Sequence, residues 1–146
     1  TVAQTLRLLG VKRAYVVHGS GLDEAAVHGT TEIAELKEDG TIERSTLTPA
    51  DLGAKRLYSI EEIKGGAPAD NALITEAILA GKGTEAQQAF VTANLALLLK
   101  IGGLAKSLPE AVELARRTMA SGKGLEVLNA HRAYAASHTA SSQKAA

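Results

Sequence analysis

The stretch Val16-Val17-His18-Gly19-Ser20-Gly21-Leu22-Asp23-Glu24-Ala25-Ala26-Val27-His28-Gly29 decides how this chain is read. Ala14 to Val17 form a continuous apolar run inside "KRAYVVHG", which reads as a short strand. Such runs suit a strand buried on both faces of a parallel sheet. The run ends at a glycine-containing loop that presents two adjacent carboxylates, Asp23 and Glu24. Two explanations are open. Ser20-Gly21-Leu22-Asp23 has the spacing of a capping box, in which the acids complement a helix N-terminus. Alternatively, the loop lets both carboxylates converge on a hard cation, since magnesium takes one or two carboxylates plus substrate phosphates and keeps several waters. Ligand sites of open α/β sheets lie beyond the carboxyl ends of the strands, which favours the second explanation by position.

Outward from this stretch, the rest of the chain divides into two styles. "TEIAELKEDGTIERSTL", residues 31–47, is a hairpin, because Asp39-Gly40 between alternating segments signals a two-residue turn. That turn would place Glu35 opposite Arg44. Charge on both hairpin faces puts it at the surface. "TPADLG" and "SIEEIKGG" are turns or single helical turns. After residue 68 the pattern is mainly helical. Pro68 and Asp70 suit a first turn, with Leu73, Ile74, Ala77 and Ile78 as the apolar stripe and Gly81 as the stop. Thr84-Glu85-Ala86-Gln87 is a capping box that opens a longer stripe through Phe90, Ala93, Leu97 and Ile101, ended by Gly102-Gly103. Ser107 to Glu110 opens a further helix that buries Ala111, Val112, Ala115 and Met119, and a last helix uses Leu125 and Leu128. The opening "TVAQTLRLLG" places Val2, Leu6 and Leu9 on one helical face before Gly10.

Bulk composition bounds the function classes. The 146 residues suffice for one modest core, 45% are apolar and only 3% aromatic, so Ala, Leu, Val and Ile must pack it. Sixteen basic residues balance sixteen acidic ones, which argues against a nucleic-acid partner. The absence of cysteine excludes disulfides and thiolate metal sites. No apolar run reaches the ~18 residues of a membrane span, and a soluble cytoplasmic protein is the expectation. A lone strand of the buried type needs partners, so the chain reads as the C-terminal piece of a larger α/β protein.

Other candidate sites are weaker. His18 and His28 flank the acids and could make a His-Asp-His transition-metal site, but their spacing matches no dedicated zinc motif. "GKGT" at residues 81–84 follows a helix, not a strand, and reads as a linker; "GGAP" at residues 65–68 reads as a helix entrance. Asn94 falls within an apolar stripe and is expected to make a satisfied inter-helix hydrogen bond.

In order along the chain, "VVHGSGLDE", "LTPADLG", "GGAPADNA" and "ILAGKGTEAQQAFVTANLALLL" resemble the C-terminal part of the anthranilate phosphoribosyltransferases, from about Leu6 to about Ala136. "VVHGSGLDE" is the most specific element. The resemblance implies the C-terminal portion of the large α/β domain of a nucleoside-phosphorylase/phosphoribosyltransferase-like fold, residues 1–136, with 137–146 a flexible tail. It implies that the amine of anthranilate displaces pyrophosphate from phosphoribosyl pyrophosphate in tryptophan biosynthesis. It further implies that Asp23 and Glu24 hold Mg2+, and that the parent enzyme is a homodimer. The family's glycine-rich pyrophosphate loop and its anthranilate-contacting arginine have no counterpart here, so the chain alone is expected to be inactive. A pyrimidine nucleoside phosphorylase-like enzyme and a non-catalytic nucleic-acid-binding relative are the alternatives.

Overall fold

In the computed structural model, which describes residues 2–143, nine elements follow one another. They are α1 (Val2–Leu8), β1 (Ala14–Gly19), β2 (Thr31–Leu36), β3 (Ile42–Leu47), α2 (Ile60–Ile63), α3 (Pro68–Leu79), α4 (Glu85–Ile101), α5 (Leu108–Ala120) and α6 (Lys123–Gln143). The chain is therefore mixed α/β and mainly helical after residue 68, as its periodicities lead one to expect. Helix α6 enters the segment 137–146 expected to be a flexible tail; residues 144–146 lie outside the described residues.

The sheet corrects three expectations. Its order is β1-β2-β3, and both pairings are antiparallel, so β1 does not lie in a parallel sheet among the described residues. The connection from β1 to β2, residues 20–30, contains no helix. A parallel crossover needs a long connection, usually helical, whereas a loop that doubles back delivers the next strand antiparallel. Strand β1 is half-buried from Ala14 to Val17, not covered on both faces. The hairpin is not wholly a surface feature either. Central strand β2 buries Thr31, Ile33 and Leu36, while β3 stays largely exposed at the edge.

The hairpin register also differs by one residue. Glu35 stands opposite Glu43, and Arg44 opposite Ala34. The Lys37 N–H donates to the Thr41 carbonyl at 2.9 Å, and Gly40 adopts φ +84°. These features define a loop over Glu38, Asp39 and Gly40 with a left-handed glycine, a geometry for which Asp-Gly is equally suited. Lys37 pairs with Glu43 at 2.5 Å and offsets the like-charge pair.

Helix boundaries follow their local signals. Thr84 caps α4 reciprocally: the Gln87 N–H donates to Thr84 Oγ1 at 3.3 Å, and the Thr84 N–H donates to Gln87 Oε1 at 3.0 Å. Ser107 Oγ accepts from the Glu110 N–H at 3.3 Å at the start of α5. Gly103 and Gly122, both at φ +74°, follow the ends of α4 and α5. Small residues then let α4 and α5 approach closely, with Ala96, Ala105, Ala111, Val112 and Ala115 forming one core. A second core joins the sheet to α4 through Ile33, Leu52, Tyr58, Ala86, Ala93 and Leu97. Two apolar stripes are less buried than their periodicity suggests. Ala3 of α1 is buried while Val2 and, just past the helix end, Leu9 are exposed; in α3 only Ile78 is buried and Leu73 is exposed.

Candidate functional site

Residues 19–30 form the acid-bearing loop at the carboxyl end of β1, and no helix follows Asp23, which removes the capping-box explanation. The loop is instead built from its own backbone. Gly19 and Leu22 exchange backbone hydrogen bonds at 3.0 and 3.1 Å, and Ser20 sits at φ +50°, held from two sides. Its hydroxyl donates to the Thr30 carbonyl at 2.9 Å, and its own carbonyl accepts from His28 Nε2 at 3.1 Å. Gly19 is required for close approach rather than for conformational freedom. A Cβ there would lie 2.6 Å from the Ala26 nitrogen and closer still to the Glu24 carbonyl oxygen.

Behind the acids the chain dives into the core. Ala25, Ala26 and Val27 are fully buried, and their backbone groups find partners outside the loop. The Ala25 N–H donates to Asn94 Oδ1 at 2.9 Å, and Asn94 Nδ2 donates to the Ala25 carbonyl at 3.1 Å and to the Phe90 carbonyl at 3.0 Å. The Ala26 N–H donates to the buried Thr31 hydroxyl at 2.9 Å, and the Val27 carbonyl accepts from the Tyr58 N–H at 3.1 Å. Buried backbone polar groups must be satisfied, and here helix α4, strand β2 and the segment before α2 each supply a partner.

Asp23 and Glu24 are exposed at the rim of this anchored segment. Neither carboxylate makes a hydrogen bond or ion pair among the described residues, unlike Glu62, Glu85 or Glu113. Two adjacent hard oxygen donors without partners fit a magnesium ion that takes its remaining ligands from water and substrate phosphate. They do not form a complete protein cage: among the described residues no three His, Asp or Glu side chains converge. His18 and His28 accordingly do not join Asp23 in a transition-metal site. His18 lies in the β1–β2 ladder opposite Glu32, and His28 serves the loop backbone.

The remaining candidates resolve simply. "GKGT" links α3 to α4, and Thr84 in it is the α4 cap. At "GGAP" the amides of Gly66 and Ala67 are taken by Asn71 Oδ1 at 2.8 Å and Asp70 Oδ2 at 3.2 Å. Asn94 is satisfied as expected, but its partner is the acid loop and not another helix. No local pattern points to that role, because 69 residues separate Asn94 from Ala25; the one sequence signal is a polar residue inside an apolar stripe. No described helix is long and apolar enough to cross a membrane.

Comparisons with known proteins show the family to which the chain belongs. Residues 1–125 match the model of the glycosyl transferase family, a/b domain. The chain is 53% identical over 125 residues to an anthranilate phosphoribosyltransferase of Tolumonas auensis, covering 86% of this chain and 37% of that protein. It is also 53% identical over 127 residues to that of Colwellia psychrerythraea, covering 87% of this chain and 34% of the relative. The crystal structure of anthranilate phosphoribosyltransferase from Thermus thermophilus superposes with a TM-score of 0.80 at 31% identity, over 90% of this chain and 38% of that one. The chain thus spans about a third of the length of the curated relatives it matches. With the acid loop, the sheet and the α4–α5 packing all inside the matched residues, the chain belongs to the glycosyl transferase family through its a/b domain.

Proposed function

We propose that this chain is the acid-bearing part of an anthranilate phosphoribosyltransferase, which transfers phosphoribose from phosphoribosyl pyrophosphate to the amine of anthranilate. Asp23 and Glu24 hold Mg2+ on the pyrophosphate. The observation that carries the reading is the pair of exposed, unpartnered carboxylates on a loop whose backbone is buried and anchored, in a chain 53% identical to enzymes of that name. A solved Saccharomyces cerevisiae structure of that name holds phosphoribosyl pyrophosphate and Mg.

When bound, the ion stabilises charge that builds on the leaving oxygens as the glycosidic bond breaks. The chain's own contribution is two carboxylates on consecutive, exposed residues that no other described group engages. The hydrogen bonds behind the loop fix the backbone from Ala25 to Val27, on which the acid pair is carried. Transfer itself belongs to the longer protein, and on the same reading that protein is a cytoplasmic homodimer.

The test is the double change Asp23→Asn and Glu24→Gln in the longer protein. Neither carboxylate contributes a hydrogen bond to the fold, so stability should move by no more than about 0.5 kcal/mol. The magnesium concentration for half-maximal activity should rise by at least about tenfold, with partial relief by excess metal. Wild-type activity throughout a magnesium titration would refute the assignment.

A further inference from the structure

We propose that Asn94 is a positioning residue for the acid pair: from α4 it grips both peptide groups of Ala25 and thereby sets where Asp23 and Glu24 present their carboxylates. The proposal rests on the reading of that pair as metal ligands.

The grip is specific in chemistry and in direction. Asn94 uses Oδ1 for the Ala25 N–H and both amide hydrogens of Nδ2, one for the Ala25 carbonyl and one for the Phe90 carbonyl. A flipped carboxamide would set N–H against N–H and oxygen against two carbonyl oxygens, so only one orientation satisfies all three partners. The peptide nitrogen that it holds is bonded to the Glu24 carbonyl carbon, one residue from the acid pair. On the other side, Gly19 packs against the Glu24 carbonyl oxygen. Glu24 is therefore held between strand β1 and helix α4.

The helix end of the grip is firm. Phe90 lies one turn before Asn94 in α4, whose neighbouring Ala93, Ala96 and Leu97 are buried. Ala25 and Val27 pack in the same core as Ala93 and Leu97, so side-chain packing and the carboxamide hold the same segment. A leucine at position 94 would continue the apolar stripe and leave the Ala25 N–H and carbonyl unpaired. The position of a polar residue in this stripe is explained by the loop that it serves.

The experiment uses the longer protein in four forms: wild type, Asn94→Ala, Asp23→Asn with Glu24→Gln, and all three changes together. Magnesium is titrated calorimetrically in the presence of pyrophosphate, and the magnesium requirement of activity is measured alongside. Amide hydrogen exchange of residues 19–30 is followed without metal. Asn94→Ala should weaken magnesium binding about tenfold, the lower end for loss of a group that orients a metal ligand. It should speed exchange in the loop, and it should add nothing to magnesium affinity when the acids are already neutralised. Asn94→Leu fills a similar volume with no polar atom and continues the apolar stripe; it should also weaken binding, and it carries the test if the alanine variant does not fold. Unchanged magnesium affinity in both Asn94 variants, with only a lower melting temperature, would overturn the proposal and leave the acid-pair reading standing. An equal further loss in the triple variant would overturn it as well. Unchanged affinity in the acid double variant would remove the metal reading itself, and the proposal with it.

Discussion

Replacing Gly19 by alanine should damage this protein more than its mild chemistry suggests. A Cβ at position 19 would lie 2.6 Å from the Ala26 nitrogen and 2.9 Å from the Ala26 Cβ, where ordinary contact begins at 3.4 Å. The obstructing groups are mainly backbone, and each is tied down. Ala26 N–H is bonded to Thr31, Ala25 to Asn94, and Gly19 itself to Leu22. Relief therefore requires a shift of most of an ångström in a fully buried segment, because close-packed interiors offer no free volume to absorb it. Over-packing of this kind costs about 1–3 kcal/mol. At an m-value of about 2 kcal/mol/M, a 2 kcal/mol loss lowers the urea midpoint by about 1 M. Gly21→Ala is the comparison: φ is +98° there, but nothing lies within 4 Å of the new methyl. Its cost is backbone strain alone, about 1 kcal/mol. Urea unfolding followed by circular dichroism reads both. A Gly19→Ala variant within about 0.5 kcal/mol of wild type would show that the segment behind the acids is not rigidly held, and the reasoning would fail.

Two further outcomes follow from the same structure. Thr31→Val keeps shape but removes the acceptor for the buried Ala26 N–H, so equilibrium unfolding should show a loss of about 1–3 kcal/mol; no loss would mean that water replaces the hydroxyl. Glu62 is held at a pKa of about 2, first by the Arg56 guanidinium and then by the Ser59 N–H. Because the folded value lies below the unfolded one, this contribution to stability is present above pH ~4.3 and disappears as pH falls toward 2. A carboxyl carbon NMR titration should give a midpoint near 2 in wild type and a clearly higher one in Arg56→Ala.

Which parts of the molecule are written locally is clear from particular residues. Thr84 with Gln87, Ser107 with Glu110, and the glycines at 103 and 122 delimit α4 and α5, and each acts through partners within about one helical turn. The apolar run before Gly19 similarly marks β1, and the adjacent acids mark the candidate site. Local pattern did not decide direction, register or support. β1 turned antiparallel because its connection doubles back, and the β2–β3 register moved by one residue because Asp-Gly serves a three-residue loop as readily as a two-residue one. Most of all, Ala25, directly behind the acid pair, is bonded by Asn94, 69 residues further along the chain. Capping and turn rules act over a few residues, whereas this contact exists only once the sheet and α4 share a core; the carboxylates are legible in the chain, and the geometry that holds them is a product of packing.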